Sequence, residues 1–544
     1  MFASLLITAT SAGAVRAGPL FEFPANERQL FLLHGHGTTS EVGVRRVMHT
    51  PQKKGAVIRP TIDPTTGLVT GTPQIRSAPI WLSAEKRWKL LVMAQGVDRQ
   101  GRTLPPRWHT SPDGLQWAFE AEVSAEAVAA VPGISLYSVV LDSSDIRAPY
   151  KAPIPDLPPY TAGGGMAESP DGLVWKKVDG AALRIPSYDE QNFAFQHGRF
   201  IYTVKRFATY GRAVALITTT QFDAANWTDL GIVLAADAID QELGLKEIAA
   251  RLADPTFNQP ACRLPVRERA DAAAFASCDN STRCPKDDPT SCFNVDVYNM
   301  GAFRYESVYI GIPAYYHAVG PDHPPGSATS RVGWNTDGFH LLKLATSTDL
   351  RNWTVLGNRS TWLGPSRVDS GAFDLTEILP PSSAIVMNEE LWFYYTGIKY
   401  RAGPYLYAPN HPEDLDQGAI CLATLRIDGF VSLDGGSVVD GEAPGVVKTK
   451  PFRAPAAQLW VNVDARRSNS SVVVRILVSG SVRATSLAIT GDAPRLSPTW
   501  RNGSDVSALT DGKTVLQLEF TLDGAKLYSY WLGDGRRPCD WPGC

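Results

Sequence analysis

A short motif recurs along the chain. A serine or threonine is followed two or three residues later by an aspartate, and four residues after that by a tryptophan. The four copies are Ser111–Trp117, Ser169–Trp175, Thr220–Trp227 and Ser347–Trp353. A degenerate fifth copy keeps an Asp-Gly pair and ends in Phe430. Repetition at this scale indicates a repeated supersecondary unit, which limits the chain to repeat architectures.

The segments around each copy predict short strands. They are runs of aliphatic and aromatic residues broken by Gly, Pro, Asn and Asp, and the Asp-Gly pair suits a tight turn. The gap between Trp227 and Trp353 is the longest, and it holds a predicted helix at 240–252 and a cysteine-rich stretch ending at Cys292. Five units remain once this insertion, about 240–292, is set aside. The sequence therefore predicts an all-β fold with a five-bladed β-propeller over residues 18–445. A solenoid fits less well, because its repeats are shorter and more regular.

The repeated turns stop near residue 446, and the remaining alternating segments predict a second all-β domain. We expect a β-sandwich over 446–532, followed by a cysteine-containing tail at 533–544.

The first residues and the cysteines predict export. Residues 1–17 read as a signal peptide with a small-residue cleavage site, although a basic first segment is missing. In an exported protein, the clustered and terminal cysteines predict disulfides, with a zinc knuckle as the alternative. The disulfide candidates are Cys262, Cys278, Cys284, Cys292, Cys539 and Cys544. Cys421 lies in an apolar run and is expected to be a buried strand residue. Six N-glycosylation sequons occur, at Asn226, Asn280, Asn352, Asn358, Asn469 and Asn502.

Charge and aromatic content bear on the partner. A net charge of −3 offers no basic stripe for a nucleic acid, and no segment after the first residues is long enough for a membrane span. The chain has 14 Trp and 18 Tyr, whose flat faces suit sugars, although most such side chains pack between sheets. A carbohydrate partner and a secreted or lumenal location are therefore expected.

The chain resembles secreted members of the five-bladed β-propeller glycosidases, the fructosidase-like and arabinanase-like enzymes with a C-terminal β-sandwich. The resemblance lies in the repeated turns and in the segments 29–33, 43–49, 188–192, 294–298, 371–374 and 423–430. It implies a secreted hydrolase that acts on a poly- or oligosaccharide. The chain lacks the Asn-Asp-Pro-Asn nucleophile motif and the Glu-Cys acid motif of fructosidases, so a retaining fructosidase mechanism does not follow.

Glycosidic cleavage usually needs two carboxyl groups, and in such propellers the residues that open the innermost strands face a central funnel. Asp189 is the predicted base or nucleophile, with its neighbour Glu190 as the alternate. Asp296 is predicted to orient the sugar or to raise a partner's pKa. Glu377 is the predicted general acid because Ile378 and Leu379 would desolvate it, and Asp374 is the alternative. Each of these acids could equally be structural.

Substrate-binding residues are predicted from charge and ring chemistry. Arg76 could clamp a hydroxyl pair or a carboxylate, and Tyr298 shares the predicted face of Asp296. Arg206 and His49 are weaker candidates. The scattered histidines define no metal site, so no cofactor is expected, and a central calcium rests on analogy alone.

Two rival functions remain open at this stage. One is a non-catalytic carbohydrate-binding propeller, since a fold does not confer activity. The other is a sialidase, which has similar turns but would need an arginine triad and a tyrosine nucleophile.

Overall fold

The computed structural model describes most of the chain in two compact units. The described residues are 20–62, 69–95, 104–155, 164–178, 192–223, 226–257, 293–319, 338–387, 389–399, 418–501, 506–507 and 509–535. Within them, the propeller unit comprises residues 28–32 and 46–433, and the sandwich unit comprises 20–27, 33–45 and 434–535.

The described residues of the propeller unit form five successive antiparallel sheets. Sheet 1 contains Thr72–Gln74, Ile80–Leu82, Arg87–Gln95, Arg107–Ser111 and Ala118–Glu122. Sheet 2 contains Val140–Leu141, Tyr150–Ile154, Gly165–Ser169 and Lys176–Lys177. Sheet 3 contains Phe193–Gln196, Arg199–Ala208, Gly211–Thr219 and Thr228–Ala235. Sheet 4 contains Phe293–Tyr305, Val308–Val319, Gly338–Leu342, Ala345–Ser347 and Thr354–Val355. Sheet 5 contains Glu377–Leu379, Ile385–Met387, Glu390–Ile398, Gly418–Arg426 and, as its last strand, Gln52–Ile58.

Sheet 5 joins the two ends of the propeller unit. Gln52–Ile58 comes before all the strands of sheet 1, yet it pairs with Gly418–Arg426, so that Ile58 lies opposite Ile420 and Gln52 opposite Thr424. Closure of this kind is typical of β-propellers, which thereby leave only short sheet edges. The strand order confirms the predicted all-β propeller, and the described sheets number five.

The repeated motif forms the turn between the third and the fourth strand of a sheet, counted outward from the propeller axis. In the first copy, Asp113 Oδ1 accepts hydrogen bonds from the backbone N–H groups of Leu115 and Gln116, at 2.8 and 2.9 Å. The indole of Trp117 donates to the carbonyl oxygen of Gly114 at 2.9 Å. The same contacts recur around Asp171 and Asp349. These aspartates are therefore occupied in holding turns at the outer edge of the sheets.

The insertion begins with the predicted helix, which spans Ala238–Ala253. Asp237 caps it: its side chain accepts from the N–H groups of Ile239 and Asp240, while Asp240 bonds back to the N–H of Asp237. The six cysteines predicted to form disulfides lie outside the described residues. Cys421 is a free, buried thiol, as predicted.

Smaller elements complete the propeller unit. They are the helix Ala125–Ala129, the 3-10 helix Gly357–Arg359, the paired strands Thr61–Ile62 and Val69–Thr70, and the strand Gln29–Leu30.

The sandwich unit also consists of antiparallel strands. One sheet contains Thr38–Val42, Gly445–Thr449, Val515–Asp523, Ser471–Val478 and Ser481–Thr485, with Phe452–Arg453 beside it. The other contains Lys526–Leu532, Leu459–Ala465 and Gly491–Leu496. The 3-10 helix Val438–Asp440 belongs to this unit, and the strands Val44–Met48 and Val431–Gly435 carry the chain from one unit to the other.

The unit begins earlier than residue 446, the expected boundary. It takes in 434–445 and part of the N-terminal segment, because Thr38–Val42 pairs with Gly445–Thr449. Along Val515–Asp523, every second residue is buried, as a strand with one face on a core requires.

Candidate active site

The innermost strands define two ends of the propeller axis. The innermost strands of sheets 3, 4 and 5 all begin at the same end of the axis. We call this end the leading end and the opposite end the trailing end. Glu377 begins an innermost strand, Asp374 precedes that strand, and Asp296 is the fourth residue of Phe293–Tyr305, so the predicted carboxylates that the structure describes belong to the leading end.

A network of buried polar groups joins the innermost segments. The carbonyl oxygen of Arg76 in sheet 1 accepts hydrogen bonds from Ser382 Oγ at 2.5 Å and from Asn192 Nδ2 at 3.3 Å. Asn192 Nδ2 also donates to the carbonyl oxygen of Pro380 at 2.9 Å, and its oxygen accepts from Asn299 Nδ2 at 3.0 Å. We call Arg76, Asn192, Asn299 and Ser382 the axial plug, because they bring sheets 1, 3, 4 and 5 together at the axis.

Asp296 is the most enclosed of the predicted carboxylates. It is 0% exposed and lies opposite Tyr316 in sheet 4. Its Oδ2 accepts from both the backbone N–H of Arg212, at 3.0 Å, and the guanidinium of Arg212, at 3.1 Å. Its Oδ1 is buried and has no hydrogen-bond partner among the described residues. Leaving a buried acceptor unpaired costs about 1–3 kcal/mol, more for a charged group, so this oxygen needs an explanation.

Tyr298 stands at the centre of an aromatic and cationic cluster. The guanidinium of Arg212 lies 5.1 Å from its ring centroid, and the ammonium of Lys205 lies 5.7 Å away. The ring of His340 is 4.8 Å from the Tyr298 ring. The strand register shifts between Val297 and Asn299, which places Tyr298 at a β-bulge. A bulge of this type re-aims a side chain, here toward Arg212.

Glu377 opens the innermost strand of sheet 5 and is 6% exposed. His340 binds the backbone on both sides of it. The His340 N–H donates to the carbonyl oxygen of Thr376 at 2.8 Å, and its ring Nδ1 donates to that of Ile378 at 3.2 Å. Through His340 and Tyr298, the structure therefore brings the neighbourhoods of Glu377 and Asp296 together.

Asp374 lies elsewhere in sheet 5. Its Oδ2 accepts from the hydroxyl of Tyr395 at 2.9 Å and pairs with the ammonium of Lys53 at 2.6 Å. Tyr395 belongs to the strand Glu390–Ile398, and Lys53 belongs to the last strand of the sheet, so this carboxylate faces the outer strands. Burial, first of all, and then the charge of Asp374 raise the pKa of the Tyr395 hydroxyl well above its ordinary value. This geometry is that of a structural ion pair.

The remaining predicted residues separate into three groups. The guanidinium of Arg76 lies 5.2 Å from the ring centroid of Tyr137 and donates to the carbonyl oxygen of Ile75 at 2.9 Å. Arg206 pairs with Asp229 of the outermost strand in sheet 3, and His49 bonds Ser432, so neither belongs to the Tyr298 cluster. Asp189 and Glu190 lie outside the described residues.

Sequence reasoning missed Lys205, Arg212 and His340. Each is less than 9% exposed, and each is a charged or polar residue at a buried position of a strand. A charged or polar residue at the buried position of such a strand is a usable signal, because it must find a partner. Arg206, which the sequence analysis selected, is the neighbour of Lys205 in the strand. Because neighbouring residues in a strand face opposite sides, Arg206 points away from Tyr298.

Metal and membrane features can be stated for the described part of the chain. There, no three His, Cys, Asp or Glu side chains gather in a way that could hold a metal ion. No helix in the same ranges is long and apolar enough to cross a membrane.

No protein-family model and no curated protein matches the chain. Solved structures do match. A glycosyl hydrolase from Bacteroides ovatus is 11% identical over 70% of this chain and 94% of that chain, with a TM-score of 0.38. The GH32 β-fructofuranosidase of Bombyx mori is 9% identical over 90% and 93%, with a TM-score of 0.33. A GH43 arabinoxylan arabinofuranohydrolase from Bacillus subtilis is 8% identical over 88% and 99%, with a TM-score of 0.33. The propeller assignment given above rests on the strand order of this chain.

Proposed function

We propose that this protein is a secreted glycoside hydrolase that cleaves a poly- or oligosaccharide at the leading end of the propeller. The observation that carries the proposal is the Asp296 carboxylate, which is fully buried, held at one oxygen by Arg212 and left without a described partner at the other. A buried polar atom without a partner calls for an explanation, and a bound ligand that completes its hydrogen bonding is the one proposed for Asp296 Oδ1.

Glu377 is the proton donor in this proposal. Hydrolysis of a glycosidic bond requires a carboxylic acid that protonates the leaving oxygen and a carboxylate that attacks the sugar or activates water. Glu377 opens its strand beside the Tyr298 cluster and is only 6% exposed, so its carboxyl group is largely removed from water. Asp189, predicted from the sequence, supplies the second carboxylate.

Asp296 binds and orients the sugar. Its Oδ1 is the acceptor for a ring hydroxyl, while Arg212 fixes the orientation of the carboxylate through two hydrogen bonds. Tyr298 offers a ring face against which a sugar can lie, since sugars stack on aromatic rings through their C–H groups. The cluster thus combines an acceptor and a platform, which suits a carbohydrate.

The experiment compares wild-type protein with Asp296→Asn and Glu377→Gln on a panel of polysaccharides and aryl glycosides. Asp113→Asn, at the outer turn of sheet 1, is the matched control because it makes the same chemical change away from the axis. We expect both test variants to lose turnover, and the control to keep it.

Two results would overturn the proposal. Wild-type turnover in both test variants would remove these residues from the reaction. Binding of glycans by the wild type without any hydrolysis would instead identify a non-catalytic carbohydrate-binding propeller.

A further inference from the structure

A cavity lies at the trailing end of the propeller unit, apart from the candidate active site. Its volume is about 840 Å³, and it is formed by the ends of the innermost strands of sheets 1, 2 and 3 together with the turns that follow them. The lining includes residues 78–85, 139–144 and 193–198, with Ser383 and Ile385 from sheet 5. Ligand cavities in proteins typically measure about 300–1,000 Å³, so this space is large enough for a small organic ligand.

The axial plug stands between this cavity and the predicted catalytic residues. In sheet 1, Arg76 precedes the strand Ile80–Leu82, and in sheet 5, Ser382 lies between Glu377 and Ile385. The carbonyl oxygen of Arg76 accepts hydrogen bonds from the side chain of Ser382 and from that of Asn192 in sheet 3. The lining of the trailing cavity includes neither Glu377 nor the residues of the Tyr298 cluster, so we treat the cavity as a separate site.

The lining combines aromatic rings with hydroxyl groups. Trp81 and Phe195 are partly exposed in the cavity, and Trp81 is held by an edge contact with Trp88 at 5.1 Å between ring centroids. Hydroxyl groups of Ser83, Ser143, Ser144 and Ser383 belong to the same lining. Rings that are fixed in place beside hydroxyl donors and acceptors suit a ligand with both apolar faces and hydroxyls.

The charged groups of the lining are already occupied within the protein. Glu85 accepts from the guanidinium of Arg87 at 2.6 Å, and Asp142 Oδ1 accepts from the backbone N–H and the hydroxyl of Ser144, at 3.0 and 2.6 Å. Among the described residues that line the cavity there is no Lys or Arg. An anionic ligand would therefore meet carboxylates without a cation to bind it, which disfavours it.

We propose that the trailing cavity is a binding site for a neutral oligosaccharide, separate from the leading end. A sugar unit would lie against Trp81, and its hydroxyls would bond the serine side chains at the rim. This inference rests on the cavity alone and does not require the protein to hydrolyse glycans. Such a site would hold a polysaccharide chain at a second point on the same propeller.

The test measures binding of neutral tetrasaccharides from arabinan, xylan, cellulose and inulin to the Asp296→Asn protein by calorimetry and saturation-transfer NMR. Trp81→Ala removes the platform, and Ser143→Arg fills the cavity from an exposed position. Phe119→Ala is the control, because Phe119 is an exposed ring, 58% accessible, outside the cavity.

We expect at least one tetrasaccharide to bind at a site whose affinity falls tenfold or more in Trp81→Ala and in Ser143→Arg, and is unchanged in Phe119→Ala. The Ser143→Arg variant of the otherwise wild-type protein should hydrolyse short substrates at the wild-type rate. Loss of oligosaccharide binding at the trailing cavity can therefore be distinguished from loss of hydrolysis at the leading end. Unchanged affinity in Ser143→Arg, or no binding of any of the four sugars, would overturn the inference. Binding of an apolar dye in the cavity, with no binding of the four sugars, would also overturn the inference.

Discussion

The side-chain amide of Asn192 donates a hydrogen bond to the main-chain carbonyl oxygen of Arg76, 3.3 Å away and more than a hundred residues earlier in the chain. The same carbonyl oxygen accepts from Ser382, and the backbone N–H of Arg76 donates to the carbonyl oxygen of Tyr137 at 2.8 Å. The backbone of Arg76, which belongs to the innermost segment of sheet 1, is thereby bonded to segments of sheets 2, 3 and 5. The propeller is held at its axis by polar contacts as well as by the apolar packing between its sheets.

The first prediction concerns this contact. Asn192→Ala should lower the free energy of unfolding by about 2–4 kcal/mol, because it leaves the buried carbonyl oxygen of Pro380 and the amide of Asn299 without their partner. Chemical denaturation measures the change. Asn469→Ala, at an exposed turn with a φ of 62°, is the control and should cost only the added strain of the left-handed backbone, about 1 kcal/mol. Equal losses would show that the axial plug contributes nothing specific.

A second prediction concerns the glycine of a repeated turn. Gly172 has a φ of +79°, and a Cβ there would lie 2.8 Å from the ring of Trp108. Gly172→Ala should therefore be more destabilising than Gly198→Ala, at a φ of +69°, where a Cβ meets nothing within 4 Å. The second variant has only the strain of the left-handed backbone, about 1 kcal/mol. Equal melting temperatures for the two variants would contradict the packing of Trp108 on this turn.

The third prediction concerns acid. Hydrogen bonds from the backbone N–H and the side chain of Asn352 lower the pKa of Asp349 from 3.8 to about 2. A carboxyl group whose pKa is lower in the folded than in the unfolded state stabilises the folded protein fully when the pH is above the unfolded-state pKa. That stabilisation is lost as the pH falls toward the folded-state pKa. Stability should therefore decline between about pH 4 and pH 2.

Asp349→Asn should flatten part of that decline, as melting temperatures measured across the range would show. The same dependence on pH in wild type and variant would mean that the Asp349 carboxylate is not held by the turn. Asp369→Asn is the control, because it makes the same chemical change at an exposed position outside the repeated turns.

A fourth prediction separates structure from catalysis in sheet 5. Asp374→Asn should lower the melting temperature, because a neutral amide cannot compensate the charge of Lys53 and its nitrogen cannot accept the Tyr395 hydroxyl. Turnover per folded molecule should stay close to wild type. A large loss of kcat at an unchanged melting temperature would instead return Asp374 to the catalytic residues.

Local features of this chain were predictable from sequence, and contacts between distant segments were not. The turns around Asp113, Asp171 and Asp349 are set by bonds within seven residues, so the sequence predicts both their form and their place between strands. The pairing of Gln52–Ile58 with sheet 5 joins residues hundreds of positions apart, and no local pattern reports it. The extension of the sandwich unit below residue 446 escaped prediction for the same reason.

The candidate site shows the same division. Asp296 was identified from the alternation of residues 294–298 and Glu377 from the apolar residues that follow it, and the structure connects their surroundings through His340 and Tyr298. Asp374 is only three residues from Glu377, yet its partners come from the outer strands of sheet 5. Arg212 reaches Asp296 from another sheet, and only the assembled fold shows that contact.

The most direct test of the account is the leaving-group dependence of Glu377→Gln. If Glu377 is the general acid, the variant should lose about 10²–10⁴ in kcat/KM on a natural glycan, whose leaving alcohol needs a proton. It should retain far more activity on a dinitrophenyl glycoside of the same sugar, whose leaving group departs unprotonated. Equal losses on the two substrates, or no loss on either, would contradict the assignment of Glu377 as the proton donor.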